Sequence, residues 1–226
     1  MNSVIAWIGR HRRLSARAAL LPFCLGPGAA LLAACGIPFA GGASAPRTYA
    51  PDDGRPAVVC LGDSLTAGDA APEDQSYPAW LQSRLDRAGY RYRVVNAGVS
   101  GDRVADGLAR VRDDVLRFRP AVVIVELGSN DPGKTPADVW ERQLDTLVAR
   151  IQGSGAKVIL GGLDEPGMAD IYRAVASERG TPLVWFTAGL WSRPGLWGDA
   201  HHPNGAGYRV VMQSFWPALQ LLLRRA

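Results

Sequence analysis

The sequence of 226 residues has few cysteines and few histidines, three of each. Cys24, Cys35 and Cys60 form no CxxC pair, which excludes a disulfide framework and a structural zinc site. The chain also lacks internal repeats, a GxGxxG fingerprint and a Walker A pattern. We therefore expect neither a metal nor a cofactor.

An excess of basic charge is also missing from the body of the chain. Of the 25 Lys and Arg residues, four lie within residues 1–34, which contain no acid. The other 21 basic residues balance the 21 Asp and Glu residues, so the basic character belongs to the N-terminal segment alone. A neutral body has no electrostatic footprint for phosphate backbones, and we predict that nucleic acid is not a partner.

The N-terminal segment is typical of an export signal. Its arginines precede the uncharged stretch Ala18–Ala34, which Pro and Gly interrupt and which falls short of the ~20 apolar residues of a spanning helix. Leu32-Ala33-Ala34-Cys35 resembles the lipobox of bacterial lipoproteins, in which the cysteine becomes lipidated. An uncleaved membrane anchor and ordinary cleavage after Ala43-Ser44-Ala45 are the alternatives.

This pattern predicts three segments and a location. Residues 1–34 form a signal peptide, residues 35–56 a flexible tether rich in Gly, Ala, Pro and Ser, and residues 57–226 one domain. A protein lipidated at Cys35 would be held at the bacterial cell envelope, facing the periplasm. A soluble periplasmic or secreted protein is the alternative.

Apolar runs alternate with helical patterns through the rest of the chain. Several runs are apolar at every position, which is typical of parallel strands covered by helices on both faces. We predict an α/β fold, a three-layer α/β/α sandwich with a five-stranded parallel sheet. The predicted strands are 57–61, 92–96, 121–127, 157–161 and 182–186, and the predicted helices are 77–88, 102–118, 135–152, 167–179 and 205–224.

Four short polar segments follow predicted strands, where ligands of such sheets bind. They are Gly62-Asp63-Ser64-Leu65, Asn96-Ala97-Gly98-Val99-Ser100-Gly101-Asp102, Glu126-Leu127-Gly128-Ser129-Asn130-Asp131 and Asp199-Ala200-His201-His202-Pro203. In this order they resemble blocks I, II, III and V of the SGNH (GDSL) hydrolase family, whose fold is flavodoxin-like. The amino-acid sequences of the second and third segments are most similar to those of the exported thioesterase/lysophospholipase/arylesterase branch.

The residues themselves also indicate nucleophilic catalysis. A serine hydroxyl needs an adjacent base, and Ser64 is the candidate nucleophile. His202 lies three residues after Asp199, so the carboxylate can hold one ring nitrogen while the other takes a proton. His201 is expected at the rim. The family resemblance implies an oxyanion hole made by the backbone N–H groups of Ser64 and Gly98 and the side-chain amide of Asn130.

Other polar and aromatic residues adjoin these motifs in sequence. We expect Asp63, Asp102, Asp131 and Glu126 to support or cap the site residues. Trp197 is expected either in the core or in the wall of a substrate pocket.

The sequence therefore predicts a serine esterase that hydrolyses small acyl esters, and possible substrates include thioesters and lysophospholipids. A carbohydrate O-deacetylase of the cell envelope is the alternative with the same catalytic groups. A non-catalytic envelope binding module on the same scaffold is the alternative from another class. We expect a monomer.

Overall fold

The computed structural model describes residues 52–223 and contains five strands and six α-helices there. The strands are β1 (Ala57–Gly62), β2 (Arg93–Gly98), β3 (Val122–Glu126), β4 (Lys157–Gly162) and β5 (Leu183–Trp185). The helices are α1 (Ser64–Ala67), α2 (Tyr77–Arg87), α3 (Val104–Asp114), α4 (Ala137–Gly153), α5 (Ala169–Arg179) and α6 (Gly205–Leu222). This confirms the predicted α/β class.

The five strands form one parallel sheet in the order β2-β1-β3-β4-β5. Every residue of β1 and β3 is buried, as expected for central strands covered on both faces. The chain passes from β1 to β2 on one side and then crosses to β3 on the other. The switch point of the topology therefore lies between β1 and β3, where ligands of such sheets bind.

The helices cover both faces of the sheet. Gly161 and Gly162 are neighbours in β4 and so point to opposite faces. A methyl group on Gly161 would meet Phe215 of α6, and one on Gly162 would meet Tyr172 of α5. Tyr77 of α2 stacks near Phe215, which puts α2 and α6 on the same face. The three predicted layers are therefore present.

Local capping explains where several helices begin. The Ser76 hydroxyl accepts from the Ala79 N–H at the start of α2, and Pro78 fits the first turn. The Asn204 side chain accepts from the N–H groups of Ala206 and Gly207 at the start of α6. Both caps occur at polar residues directly before an apolar helical pattern.

The predicted N-terminal segments are only partly covered by the described residues. The signal segment, Cys35 and most of the predicted tether lie outside the described residues. Asp52, at the end of the predicted tether, forms an ion pair of 3.3 Å with Arg93 of β2. No helix within residues 52–223 is long and apolar enough to cross a membrane.

Candidate active site

Ser64 lies at the first position of α1, directly after β1 and at the switch point of the sheet. The turn requires glycine at position 62, because a methyl group there would come within 1.9 Å of Thr66 Oγ1 and 2.6 Å of the Glu126 carbonyl oxygen. The Thr66 hydroxyl donates to the buried Glu126 carboxyl at 2.7 Å. The strand end, α1 and β3 are thereby held together under Ser64.

The loop between β5 and α6 brings His202 to Ser64. The Gly198 N–H donates to the His202 carbonyl at 2.9 Å, and Trp197 and Pro203 form a short antiparallel bridge. The Asn204 amide donates to the Gly195 carbonyl at 2.9 Å. These contacts close the loop into a compact turn that holds the His202 ring over the end of β1.

Ser64, His202 and Asp199 form one hydrogen-bonded chain. His202 Nε2 lies 3.0 Å from Ser64 Oγ, and His202 Nδ1 lies 2.8 Å from Asp199 Oδ2. Because an ionised carboxylate only accepts, Nδ1 must carry the hydrogen, which leaves Nε2 free to accept from the serine. The spacing of Asp199 and His202 and the family resemblance predict that these three residues act together, and in the structure they are in contact.

The Asp199 carboxylate stays charged because it accepts several hydrogen bonds. The backbone N–H of His201 is the main cause, followed by the ring and the backbone N–H of His202, and together they lower the pKa of Asp199 to about 2. The side chain is 48% exposed, so water also favours the charged form. Asp199 can therefore orient the imidazole throughout the neutral range of pH.

A second carboxylate, Asp63, lies buried beneath Ser64. Its Oδ1 accepts from the Leu65 N–H at 3.0 Å and so caps α1, while its Oδ2 accepts from Ser129 Oγ and, at 3.2 Å, from Asn130 Nδ2. Burial raises the pKa of Asp63 to about 6, although the hydrogen bond from Ser129 opposes the rise. Asp63 thus ties the β1 and β3 ends of the site to each other.

The candidate oxyanion donors differ in whether they already donate a hydrogen bond to another group of the protein. The Ser64 N–H has no acceptor within residues 52–223, whereas the Gly98 N–H donates to Asn96 Oδ1 at 2.9 Å. Asn130 Nδ2 donates to Asp63 Oδ2 and, at 3.0 Å, to the Asp102 carbonyl. Gly101 precedes Asp102 with a φ of 85°, and its N–H finds no acceptor in the described part of the chain.

The remaining acids named from sequence have structural partners. Asp102 forms an ion pair of 2.6 Å with Arg110, whose guanidinium also donates to the Gly62 carbonyl at 3.0 Å. Asp131 is fully buried and accepts from the Val104 N–H at 3.0 Å, which caps α3. Burial raises the pKa of Glu126 well above its ordinary value. Asp102, Asp131 and Glu126 all support the loops around Ser64.

A cavity of about 450 Å³ opens at Ser64 and His202. Its wall is largely apolar, which suits an acyl or aryl group. The lining residues are Ser64, Leu65, Ser129, Asn130, Pro132, Leu163, Glu165, Met168, Thr187, Trp191, Trp197, His201, His202 and Pro203. Trp197 both lines this cavity and packs against the core, and His201 lies exposed at the cavity.

Sequence reasoning missed several residues of this cavity, among them Ser129 and Glu165. Ser129 lies between Gly128 and Asn130 in a quoted motif, and its hydroxyl was a signal that could have been used. Glu165 lies in the loop after β4, and no local pattern marks it as facing the cavity. Within residues 52–223, no group of three or more His, Cys, Asp or Glu side chains is arranged to hold a metal ion.

Comparisons with known proteins identify the family. The GDSL-like Lipase/Acylhydrolase family model matches residues 60–210. The chain is 36% identical over 179 residues to Esterase TesA of Pseudomonas aeruginosa, which covers 74% of this chain and 89% of that protein. It is 30% identical over 177 residues to Thioesterase 1/protease 1/lysophospholipase L1 of Escherichia coli, with 73% and 82% covered.

A solved structure described as TesA has the same fold, with a TM-score of 0.70 and 34% identity over 74% of this chain and 99% of that chain. The predicted family is therefore confirmed, and with it the predicted enzyme class. The chain belongs to the GDSL-like lipase/acylhydrolase family of serine ester hydrolases.

Proposed function

We propose that Ser64, His202 and Asp199 are the catalytic triad of an esterase that forms an acyl-enzyme. The observation that carries this proposal is the 3.0 Å contact between Ser64 Oγ and His202 Nε2, with the ionised Asp199 behind the ring. A serine hydroxyl becomes an effective nucleophile when an aligned base can take its proton.

The proposed reaction has two matching halves. Ser64 Oγ attacks the ester carbonyl carbon while His202 Nε2 takes the hydroxyl proton. The tetrahedral intermediate then breaks its bond to the alcohol oxygen, and the imidazolium returns that proton to the leaving alcohol. Water attacks the acyl-enzyme by the same route, which releases the carboxylic acid and restores Ser64.

The negative oxygen of the intermediate needs donors near Ser64. The Ser64 N–H and the Asn130 amide were predicted from sequence and remain in the proposal. Gly98 is the less suitable backbone donor because its N–H already donates to Asn96. We propose Gly101 in its place, since its N–H is free within residues 52–223 and its neighbour Asp102 holds the Asn130 amide. During the reaction, the Asn130 amide would donate to the oxyanion in place of one of its two present acceptors, Asp63 Oδ2 or the Asp102 carbonyl.

Replacement of the nucleophile tests the proposal. Ser64→Ala should abolish hydrolysis of p-nitrophenyl butyrate without changing the circular dichroism spectrum. Within residues 52–223, the Ser64 hydroxyl bonds only to the His202 ring, and the fold does not depend on that contact. Asn130→Ala should lower kcat by about 10²–10³, the usual effect of removing one oxyanion donor. Undiminished turnover by Ser64→Ala would end the proposal.

A fluorophosphonate probe separates the enzyme from a binding module. Such a probe should label the wild-type protein at Ser64 and leave folded Ser64→Ala unlabelled, since only an activated serine reacts. A folded but unlabelled wild-type protein would favour the binding module. A panel of medium-chain acyl esters and acetylated xylan would then show whether the acyl pocket or a sugar acetate is preferred.

The proposal includes an exported, lipid-anchored, monomeric protein. It is supported by the basic and apolar segments of residues 1–34 and by the motif that ends at Cys35. Mass spectrometry of the native N-terminus should find a diacylglyceryl group on Cys35, and Cys35→Ser should release the protein from membranes. An unmodified N-terminus after Ala45 would replace this part of the proposal with ordinary secretion. Light scattering after gel filtration tests the monomer.

A further inference from the structure

Within residues 52–223, the cavity at Ser64 contains a carboxylate with no basic partner. Glu165 is half-buried and lines the cavity, and its side chain forms no ion pair in this part of the chain. The adjacent Asp164 instead points to Arg173 at 3.1 Å. Among the described residues that line the cavity there is no lysine or arginine. The described wall of the cavity therefore does not neutralise the negative charge of Glu165.

The same cavity has two tryptophan rings that no cation of the described residues covers. Trp191 is 62% exposed and stacks on Trp197, with ring centroids 4.9 Å apart and an interplanar angle of 30°. The Trp197 indole N–H donates to the Leu190 carbonyl at 3.3 Å, which holds the inner ring in place. The electron-rich face of an indole attracts cations.

Three other tryptophans of the described chain, the partly exposed Trp80 and Trp185 and the buried Trp216, each have an arginine over the ring. The guanidinium carbons lie 4.9–5.7 Å from the ring centroids in the pairs Arg84–Trp216, Arg173–Trp185 and Arg209–Trp80. Within residues 52–223, neither Trp191 nor Trp197 has such a partner. Trp191 and Trp197, which have no cation over their rings in the described part of the chain, thus both line the cavity that contains Glu165.

We propose that this cavity selects esters that carry a positively charged group, such as a quaternary ammonium, over neutral and anionic esters. Glu165 and the Trp191–Trp197 pair form the cation subsite, and the ester carbonyl lies at Ser64. The proposal rests on Ser64 being the nucleophile. An ester with a carboxylate or phosphate at the same place would be repelled by Glu165.

The size of the cavity sets the size of the effect. A compact cavity of this volume is about 10 Å across, so Glu165 acts on a bound cation over a distance close to the Debye length of about 8 Å. At that distance, Coulomb's law at the boundary between protein and water gives about a fivefold change in binding. This is large enough to measure as a ratio of two kcat/KM values.

The test compares two thioesters of the same shape. Butyrylthiocholine carries a quaternary nitrogen where S-(3,3-dimethylbutyl) thiobutyrate carries a carbon. At low salt, the wild-type kcat/KM should be at least about fivefold higher for the cationic thioester, and 0.5 M NaCl should reduce the ratio. Glu165→Gln removes this charge and should lower the ratio of the two kcat/KM values about fivefold.

Matched variants separate the charge from its surroundings. Asp164→Asn removes the same charge one residue away, outside the cavity, and should leave the ratio unchanged. Trp191→Leu keeps an apolar side chain without a π face and should lower the ratio of the two kcat/KM values about twofold to fivefold. Tetramethylammonium should inhibit hydrolysis of the neutral thioester by the wild-type protein, a readout that depends on no variant.

Three results would overturn the proposal: a wild-type ratio near one, a ratio unchanged in Glu165→Gln, or no inhibition by tetramethylammonium. Each leaves the triad intact, because hydrolysis by wild-type protein and its loss in Ser64→Ala are measured with the neutral thioester. Hydrolysis by Ser64→Ala would instead contradict the proposed function itself.

Discussion

Removal of the Ser129 hydroxyl should destabilise the protein more at high pH than at low pH. Ser129 Oγ, which is partly buried at the cavity, donates to Oδ2 of Asp63, whose side chain is fully buried beneath Ser64. Burial raises the pKa of Asp63 from 3.8 to about 6, and this hydrogen bond restrains the rise. The bond is therefore needed most when Asp63 is charged.

The sign follows from the raised pKa of Asp63. The folded protein holds this proton more tightly than the unfolded chain, so the stability that the proton contributes is complete below pH 3.8 and is lost as the pH rises through 6. The rise of the Asp63 pKa from 3.8 to about 6 corresponds to about 3 kcal/mol of folding stability that is lost above pH 6. Ser129→Ala raises the pKa of Asp63 further, so its added cost appears above pH 6.

The difference between a charged and a neutral acceptor gives the magnitude. A hydrogen bond to a charged group contributes about 1.5–3 kcal/mol, and one between neutral groups about 1 kcal/mol. Ser129→Ala should thus lower the free energy of unfolding by about 1 kcal/mol more at pH 8 than at pH 5. The assay is urea unfolding followed by tryptophan fluorescence at both pH values.

Ser154→Ala is the matched control. The Ser154 hydroxyl donates to the backbone carbonyl of Ile151 at 2.6 Å, and neither group titrates in this range. Its loss should cost the same free energy of unfolding at pH 5 and at pH 8. An equal cost of Ser129→Ala at the two pH values, or a larger cost at pH 5, would refute the reasoning about Asp63.

Three further predictions concern the site and the core. Asp199→Asn should lower kcat for p-nitrophenyl butyrate about 10⁴-fold, because an amide does not fix the imidazole tautomer; with its pKa lowered to about 2, the wild-type carboxylate should stay functional down to pH 4. Gly98→Ala should cost about 3 kcal/mol of stability in urea unfolding, because its methyl group would lie 2.2 Å from Ala67 N. Gly101→Ala should cost only about 1 kcal/mol for its positive φ, since the space around it is open. Cys60 is buried with a pKa raised to about 12 and should not react with iodoacetamide until the protein unfolds, as mass spectrometry can show in a variant whose other two cysteines are serine.

The fold was predictable from the sequence because burial on both faces leaves an unmistakable composition. Runs such as Ala57–Leu61 have no polar position, and their short length between turn residues favours a strand covered on both faces over a buried helix. The four-residue helix Ser64–Ala67 was missed because it is too short for periodicity. The helix predicted from Asp102 begins at Val104, since its first N–H is capped by Asp131, a residue 27 positions away that no local pattern could link to it.

The site was predictable as far as its motifs extend. Ser64, Asp199 and His202 each follow a strand in the order of a known family, so side-chain type and position sufficed to bring them together. The choice between Gly98 and Gly101 depends on where a backbone N–H points, and only the turn at Asn96 shows this. Glu165 was not predictable, because its position at the cavity depends on the path of an irregular loop.

Two aspartates flank the Ser64–His202 pair, and their surroundings give them opposite properties. Asp199 is exposed and accepts hydrogen bonds from two backbone N–H groups and a ring, which lower its pKa to about 2. Asp63 is buried and charged only above about pH 6, yet it connects Ser129 and Asn130 to the strand that carries Ser64. A carboxylate that must attract a proton-bearing ring benefits from being exposed and charged. A carboxylate that only holds neutral donors in place, such as Asp63, can be buried. Its burial lowers the stability of the folded protein but keeps the donors Ser129 and Asn130 aligned at the site.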